Sequence, residues 1–161
     1  MTLSIDRPNT ASSNLLVDFL ISSRVDFGNS AILNVAGLVG TRVCNEHREI
    51  AFRDNSELPE ILGVASEFVE MSFTHISTEA VFGNNADGSC PNEDEDPLPN
   101  TWYGITKYVG EVNALRRGGM VVRLPILVDF SNPQSLFGSL LEKLTRGSAV
   151  TCSRKNVSTP L

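Results

Sequence analysis

The chain has little of what marks several common protein classes. Its three cysteines, Cys44, Cys90 and Cys152, lie far apart and form no CxxC pair, so the sequence predicts neither a disulfide framework nor a zinc site. Positive charge is also scarce, because 13 Lys and Arg stand against 19 Asp and Glu, which gives a formal net charge of -6. A surface of that sign repels phosphate backbones, and nucleic acid is therefore not an expected partner.

Long apolar runs are missing as well. No stretch reaches the length of a membrane span, and the first ten residues lack the apolar core of a secretory signal. We therefore expect a cytoplasmic protein that does not contact membranes. An apolar fraction of 41% over 161 residues is typical of one globular domain, so residues 1–161 are treated as a single domain.

Helix-like and strand-like segments alternate along the chain. Apolar runs of strand length lie at residues 31–35, 73–77, 120–124 and, more weakly, 149–152. Segments with helical patterns lie at residues 14–23, 57–70, 102–117 and 133–146. Unbroken apolar strands separated by helices are typical of a doubly wound parallel α/β sheet with helices on both faces. Ligands of such sheets bind at the carboxyl ends of the strands.

The most specific local motif is a tyrosine and a lysine four residues apart. Tyr103 and Lys107 lie in a predicted helix, where this spacing places both side chains on one face. An ammonium group beside a phenol favours the phenolate and lowers the tyrosine pKa, which suits a general acid near neutral pH. The same spacing also occurs by chance, so an ordinary surface helix is the alternative for the pair taken alone.

Further motifs accompany this pair in a fixed order. A strand ends in the segment STEAVF (residues 77–82), an acidic loop ends in PLP (residues 97–99), and the helix reads YGITKYVGE (residues 103–111). This order resembles the dTDP-4-dehydrorhamnose reductase family, a branch of the extended short-chain dehydrogenase/reductases. The resemblance implies a Rossmann-like fold and NADH- or NADPH-dependent reduction of a nucleotide-linked 4-keto sugar.

The resemblance also implies roles for individual residues. Tyr103 would protonate the substrate carbonyl oxygen as hydride arrives from the cofactor, and Lys107 would lower the tyrosine pKa and hold the cofactor ribose. Thr78 would bind the reacting carbonyl, with Glu79 on the substrate side, where the family usually has Asp. The implied cofactor-binding residues are Tyr103, Lys107 and Ser77, together with a stretch similar to the family's Asn-Ala-Ala: Val35, Ala36 and Gly37.

One family feature does not occur in this sequence. The glycine-rich turn that cradles the dinucleotide pyrophosphate has no counterpart, since the nearest segment, residues 37–40, follows the wrong strand. We therefore expect a partial NAD(P)-binding Rossmann-like domain with weak dinucleotide affinity. An apolar sheet edge near Ile32 and Leu33 would then be open for pairing with a second copy or a partner chain.

Several alternatives stay open at this level. The Tyr/Lys pair also serves related epimerases and dehydratases, and the chain could instead be a non-catalytic binding relative or a truncated inactive product. Asn55 is either the family's helix-initial asparagine or an ordinary helix cap. His75 is expected to be a satisfied structural histidine, and the acidic run at residues 93–96 a solvated loop.

Overall fold

Three parallel strands form the sheet of this protein. The computed structural model describes residues 30–83, 92, 95–125 and 136–148. Within them the strand order is β1 (Ala31–Asn34), β2 (Ser72–Thr78) and β3 (Met120–Leu124), with Ala31 opposite Ser72 and Thr78 opposite Leu124. The three main predicted strands and their parallel pairing are confirmed. The predicted helix at residues 14–23 and the weak strand at residues 149–152 lie outside the described residues.

Helical segments connect the strands. The first connection contains α1 (Thr41–Glu46), α2 (Arg48–Phe52), a π-helical turn (Arg53–Glu57) and α3 (Leu58–Phe68). The second contains a 3₁₀ turn (Glu79–Val81) and α4 (Trp102–Arg116), and α5 (Leu136–Thr145) follows β3. The sequence predicted α3, α4 and α5 to within a few residues, whereas α1 and α2 carry too short a pattern and were missed.

Local chemistry explains where α4 begins and ends. Thr101 has an extended backbone, and its hydroxyl accepts a hydrogen bond of 3.1 Å from the amide of Gly104, which satisfies one free donor of the first turn. At the other end, Gly118 adopts a φ of 68°, a left-handed conformation that glycine reaches without strain. The helix is thereby fixed in length between the sheet and the loop that precedes it.

The two crossover helices, α3 and α4, lie on one face of the sheet. Phe73, His75 and Ser77 of β2 are buried toward them, and a Cβ placed on Gly63 of α3 would contact the ring of Phe73. The strands follow one another across the sheet in chain order, so two right-handed crossovers place both connecting helices on the same face. The opposite face carries Leu33 and Met120, which are 59% and 58% exposed in the described part of the chain.

β1, which contains Ile32 and Leu33, lies at one edge of the sheet formed by the described residues. No helix in the described ranges is long and apolar enough to cross a bilayer.

Candidate active site

Tyr103 and Thr78 meet at the carboxyl end of β2. Thr78 is the last residue of that strand, and its side chain is hydrogen-bonded to the phenol of Tyr103 in the first turn of α4. Burial raises the pKa of Tyr103, the bond from Thr78 opposes the rise, and the nearby Cys44 adds to it. Tyr103 therefore carries its proton at neutral pH.

Lys107 lies one turn further along α4 and is only 6% exposed. Its ammonium group donates a 2.7 Å hydrogen bond to the main-chain carbonyl of Ile76. Burial lowers the pKa of Lys107 to about 8, and the carboxylate of Glu111 acts in the opposite direction. The net pKa of Tyr103 is therefore raised and not lowered as predicted, because burial of the phenol outweighs the contacts that favour the phenolate.

Two buried polar atoms lie beside this pair on β2. Ser77 Oγ and His75 Nε2 have no hydrogen-bond partner within the described residues. The other ring nitrogen, His75 Nδ1, accepts a hydrogen bond from the amide of Asn34 at 3.0 Å. Burial, followed by the charge of Lys107, lowers the pKa of His75 to about 3, so the ring is neutral. The expectation of a satisfied structural histidine is confirmed for Nδ1, and Nε2 has no partner among the described residues.

The loop after β1 reaches the same edge of the sheet. Val35 is 73% exposed, and Ala36 and Gly37 are exposed as well. Asn55 holds the next residue of this loop, because its side chain accepts from the amide of Leu38 at 2.7 Å and donates to the carbonyl of Leu38 at 3.0 Å. These bonds fix the end of the segment formed by Val35, Ala36 and Gly37.

Asn55 also fixes α4 itself. It is fully buried in the π-helical turn and donates a 3.1 Å hydrogen bond to the hydroxyl of Thr106, which in turn donates to the carbonyl of Tyr103 at 3.0 Å. Asn55 makes no helix-capping bond, so the interpretation as an ordinary cap is wrong. Its role in this fold is to join the loop after β1 to the helix that carries the tyrosine.

Two glycines of α4 permit its close approach to neighbouring main chain. A Cβ on Gly104 would overlap the carbonyl of Ala80 in the 3₁₀ turn, and one on Gly110 would overlap the carbonyl of Asn55. Both are backbone groups that cannot rotate away, so a side chain at either position would push the helix outward. Gly104, which lies between Tyr103 and Lys107, and Gly110, three residues after Lys107, therefore set how closely the pair lies to β2.

A buried ion pair completes the site, and the sequence did not reveal it. Glu111 is 1% exposed and contacts Arg123 of β3 through both carboxylate oxygens, with an Nη2–Oε2 distance of 2.8 Å. An arginine inside an otherwise apolar strand is a signal for such an ion pair, since buried charges require partners.

Glu79, assigned to the substrate side, is half-buried in the turn directly after Thr78. In the described part of the chain no group of three or more His, Cys, Asp and Glu residues is placed to hold a metal ion.

Comparison with known proteins decides the family. The model of the RmlD substrate binding domain matches residues 15–160 of the chain. The chain belongs to the RmlD substrate binding domain family. This membership agrees with the resemblance of its motifs to dTDP-4-dehydrorhamnose reductases, and it accounts for the parallel α/β architecture.

Individual RmlD-family relatives and solved structures are similar to this chain over part of their length. The probable low-salt glycan biosynthesis reductase Agl14 of Haloferax volcanii is 30% identical over 95 residues, which cover 58% of this chain and 31% of Agl14. A hypothetical dTDP-4-dehydrorhamnose reductase from Sulfolobus tokodaii shares the fold with a TM-score of 0.73 and 24% identity, covering 93% of this chain and 53% of its own.

A third similar protein is the enzyme WbmG of Bordetella bronchiseptica, whose crystal structure contains NAD and UDP. It matches with a TM-score of 0.74 and 16% identity over 92% of this chain and 46% of WbmG. The sheet described above is thus a Rossmann-like sheet, as the sequence predicted. The chain spans about half the length of these solved structures and about a third of the curated relative.

Proposed function

We propose that this chain carries the Tyr/Lys site of an NAD(P)H-dependent reductase that acts on a nucleotide-linked 4-keto sugar. The observation that carries the proposal is the phenol of Tyr103, protonated at neutral pH and hydrogen-bonded to Thr78 at the carboxyl end of a parallel strand. This is the place where α/β sheets bind ligands. Membership of a family that includes reductases of this substrate class, together with similarity to a glycan biosynthesis reductase, supports the choice of reaction.

In the proposed reaction Tyr103 is the general acid. Its hydroxyl gives a proton to the carbonyl oxygen of the sugar, and the Thr78 hydroxyl orients that oxygen. The buried ammonium of Lys107 then stabilises the phenolate left behind, since opposite charges attract strongly where water is excluded. Glu79, directly after Thr78, would contact a hydroxyl of the sugar. The nicotinamide cofactor supplies the hydride when bound.

The residues on this edge fit a nicotinamide dinucleotide. Ser77 Oγ is buried beside Lys107 and has no hydrogen-bond partner in the part of the chain that the structure describes, which suits a hydroxyl or amide group of a ligand. Val35, Ala36 and Gly37 are exposed at the same edge. Glycine suits position 37, because a Cβ there would lie only 2.6 Å from Asn55 Oδ1. Lys107 would hold the ribose hydroxyls. The NAD and UDP in the WbmG structure are the reason for choosing a dinucleotide and a nucleotide sugar.

A cofactor titration followed by an activity assay tests this proposal. Trp102, the only tryptophan, precedes Tyr103 and donates from its indole to the carbonyl of Arg48 at 3.2 Å, so its fluorescence reports on this edge. We expect weak, saturable quenching by NADPH or NADH and oxidation of the reduced cofactor when a dTDP-linked 4-keto sugar is added.

Matched variants separate chemistry from binding. Tyr103→Phe should lower the turnover about 100-fold or more while leaving the quenching in place, because it removes only the proton donor. Tyr108→Phe, a matched change five residues further along α4, should leave turnover unchanged. Turnover that survives Tyr103→Phe would contradict the assigned chemistry.

A second candidate function is a non-catalytic binding role, in which β1 pairs with a partner chain or a second copy. The observation that favours it is the edge position of β1 together with the exposure of Leu33 and Val35, 59% and 73%. A folded chain that shows no quenching at millimolar cofactor, and that forms dimers by light scattering which Leu33→Lys disrupts, would support this role over the reductase.

A further inference from the structure

Glu111 is a buried carboxylate on the same helix as Lys107. It follows Lys107 by four residues on α4, so the two side chains lie one turn apart on the same face. Only 1% of the Glu111 side chain is exposed. Burial strips a carboxylate of its hydration, which is strongly unfavourable unless other groups compensate. The carboxylate is therefore expected to be held by specific partners.

Arg123 is the first of these partners. Its Nε lies 3.0 Å and 3.2 Å from the two carboxylate oxygens of Glu111, and its Nη2 lies 2.8 Å from Oε2. Arg123 stands on β3 directly opposite Ser77, and its guanidinium lies over the ring of Phe82 at 4.8 Å. Several hydrogen bonds to both oxygens fix the orientation of a carboxylate as well as its position. Phe82 extends this contact to the turn that follows Thr78.

The charges around Lys107 come from three elements. α4 contributes Tyr103 and Glu111, β2 contributes His75, and β3 contributes Arg123. His75 is neutral because its pKa is about 3, and the charge of Arg123 is paired with Glu111. Cys44 of α1 contributes to the raised pKa of Tyr103. Glu111 is thus the negative charge that opposes the loss of the Lys107 proton caused by burial.

We propose that Glu111 is a positioning residue for the Tyr103–Lys107 pair: it keeps Lys107 an ammonium, while Arg123 and Phe82 fix its carboxylate relative to the Thr78 turn. The catalytic meaning of this inference rests on the proposed function, since the ammonium stabilises the phenolate that Tyr103 becomes after giving up its proton. The protonation of Lys107, in contrast, is a property of the chain alone and can be measured without cofactor or substrate.

Lysine NMR tests the proposal. The chain has three lysines, so protein labelled with ¹³C at lysine Cε gives three signals, and Lys107→Arg identifies the one that belongs to Lys107. We expect the titration midpoint of Lys107 to fall by about one pH unit in Glu111→Gln, because the negative charge that favours the ammonium is lost. Glu111→Asp should restore part of the difference.

Glu60→Gln is the matched control. It removes a carboxylate that lies 3.1 Å from Arg117, beyond the end of α4 and away from Lys107. The midpoint of Lys107 should stay at its wild-type value in this variant.

A second variant guards against simple misfolding. Glu111→Gln leaves Arg123 without its carboxylate, whereas the double variant Glu111→Gln/Arg123→Met removes both charges together, a replacement that proteins tolerate well. We expect the double variant to fold, and its Lys107 midpoint to lie between those of the wild type and of Glu111→Gln, because the positive charge of Arg123 is lost together with the carboxylate. A wild-type midpoint in folded Glu111→Gln, or a midpoint above the wild-type value in the double variant, would overturn the proposal. The expected shift in a chain that neither binds nor oxidises reduced cofactor would support the electrostatic role of Glu111 and refute the proposed function.

Discussion

Acid is expected to destabilise this fold through His75. The imidazole is fully buried on β2, with Nδ1 bonded to Asn34 and no partner for Nε2 in the described ranges. Burial, and then the positive charge of Lys107, lowers its pKa from 6.5 to about 3. The folded protein thus keeps the ring neutral at pH values where the unfolded chain protonates it.

The sign and size of the effect follow from proton linkage. Between pH 6.5 and about 3 the unfolded chain binds more protons than the folded one, so stability falls as the pH falls through this window. At about 1.4 kcal/mol per pKa unit, the complete loss approaches about 5 kcal/mol, and the step from pH 7 to pH 5 removes about 2 kcal/mol. Lys107 does not contribute to this step, because its shift from 10.5 to about 8 changes stability only above pH 8.

Urea unfolding at pH 7 and pH 5, followed by the fluorescence of Trp102, measures this loss. His75→Asn places an amide oxygen near the position of Nδ1 and cannot titrate, so it should remove the loss of about 2 kcal/mol. His47→Asn, at the exposed second histidine, should retain it. If His75→Asn loses as much stability as the wild type between the two pH values, the penalty does not arise at His75 and the reasoning fails.

Three further substitutions probe the contacts around α4. Gly110→Ala should lower the free energy of unfolding by roughly 1–3 kcal/mol, since the new methyl group overlaps the carbonyl of Asn55, and an unchanged melting temperature would contradict this. Asn55→Ala removes both bonds to Leu38, so hydrogen exchange of the Leu38 amide should accelerate at least about 10-fold for a loss of ~1.4 kcal/mol, as mass spectrometry of deuterated peptides would detect. Thr78→Val removes the hydroxyl that lowers the pKa of Tyr103, so that pKa should rise further in a ¹³C NMR titration, and a fall would refute the assigned bond.

The sequence was informative where a feature is local. The period of apolar residues predicted the three strands and the helices after them, and the motif around Tyr103 predicted which strand end that residue would approach. Both depend on spacing along one segment, which a sequence displays directly. The π-helical turn at residues 53–57 was missed; it lies against Gly110 of another helix, a contact that spacing along one segment does not display.

Features that depend on distant segments were not predictable. Asn55 looked like a helix cap because its partners, Leu38 and Thr106, lie 17 and 51 residues away. The direction of the Tyr103 pKa was also mispredicted. Spacing along a helix does not show that the phenol is buried, or that the Lys107 ammonium donates a hydrogen bond to the carbonyl of Ile76. In each case the role of the side chain depends on contacts with residues far away in the sequence.

The parallel register of the sheet has a consequence for how the protein folds. Ala31 pairs with Ser72, and Thr74 pairs with Met120, so each pairing joins segments more than forty residues apart. Loops of that length close slowly, whereas α4 can begin to form from its own residues. During synthesis the helix bearing Tyr103 leaves the ribosome before β3, which carries Arg123. The edge of the sheet where Tyr103, Lys107 and Arg123 meet is therefore expected to assemble late in folding, after its separate segments have formed.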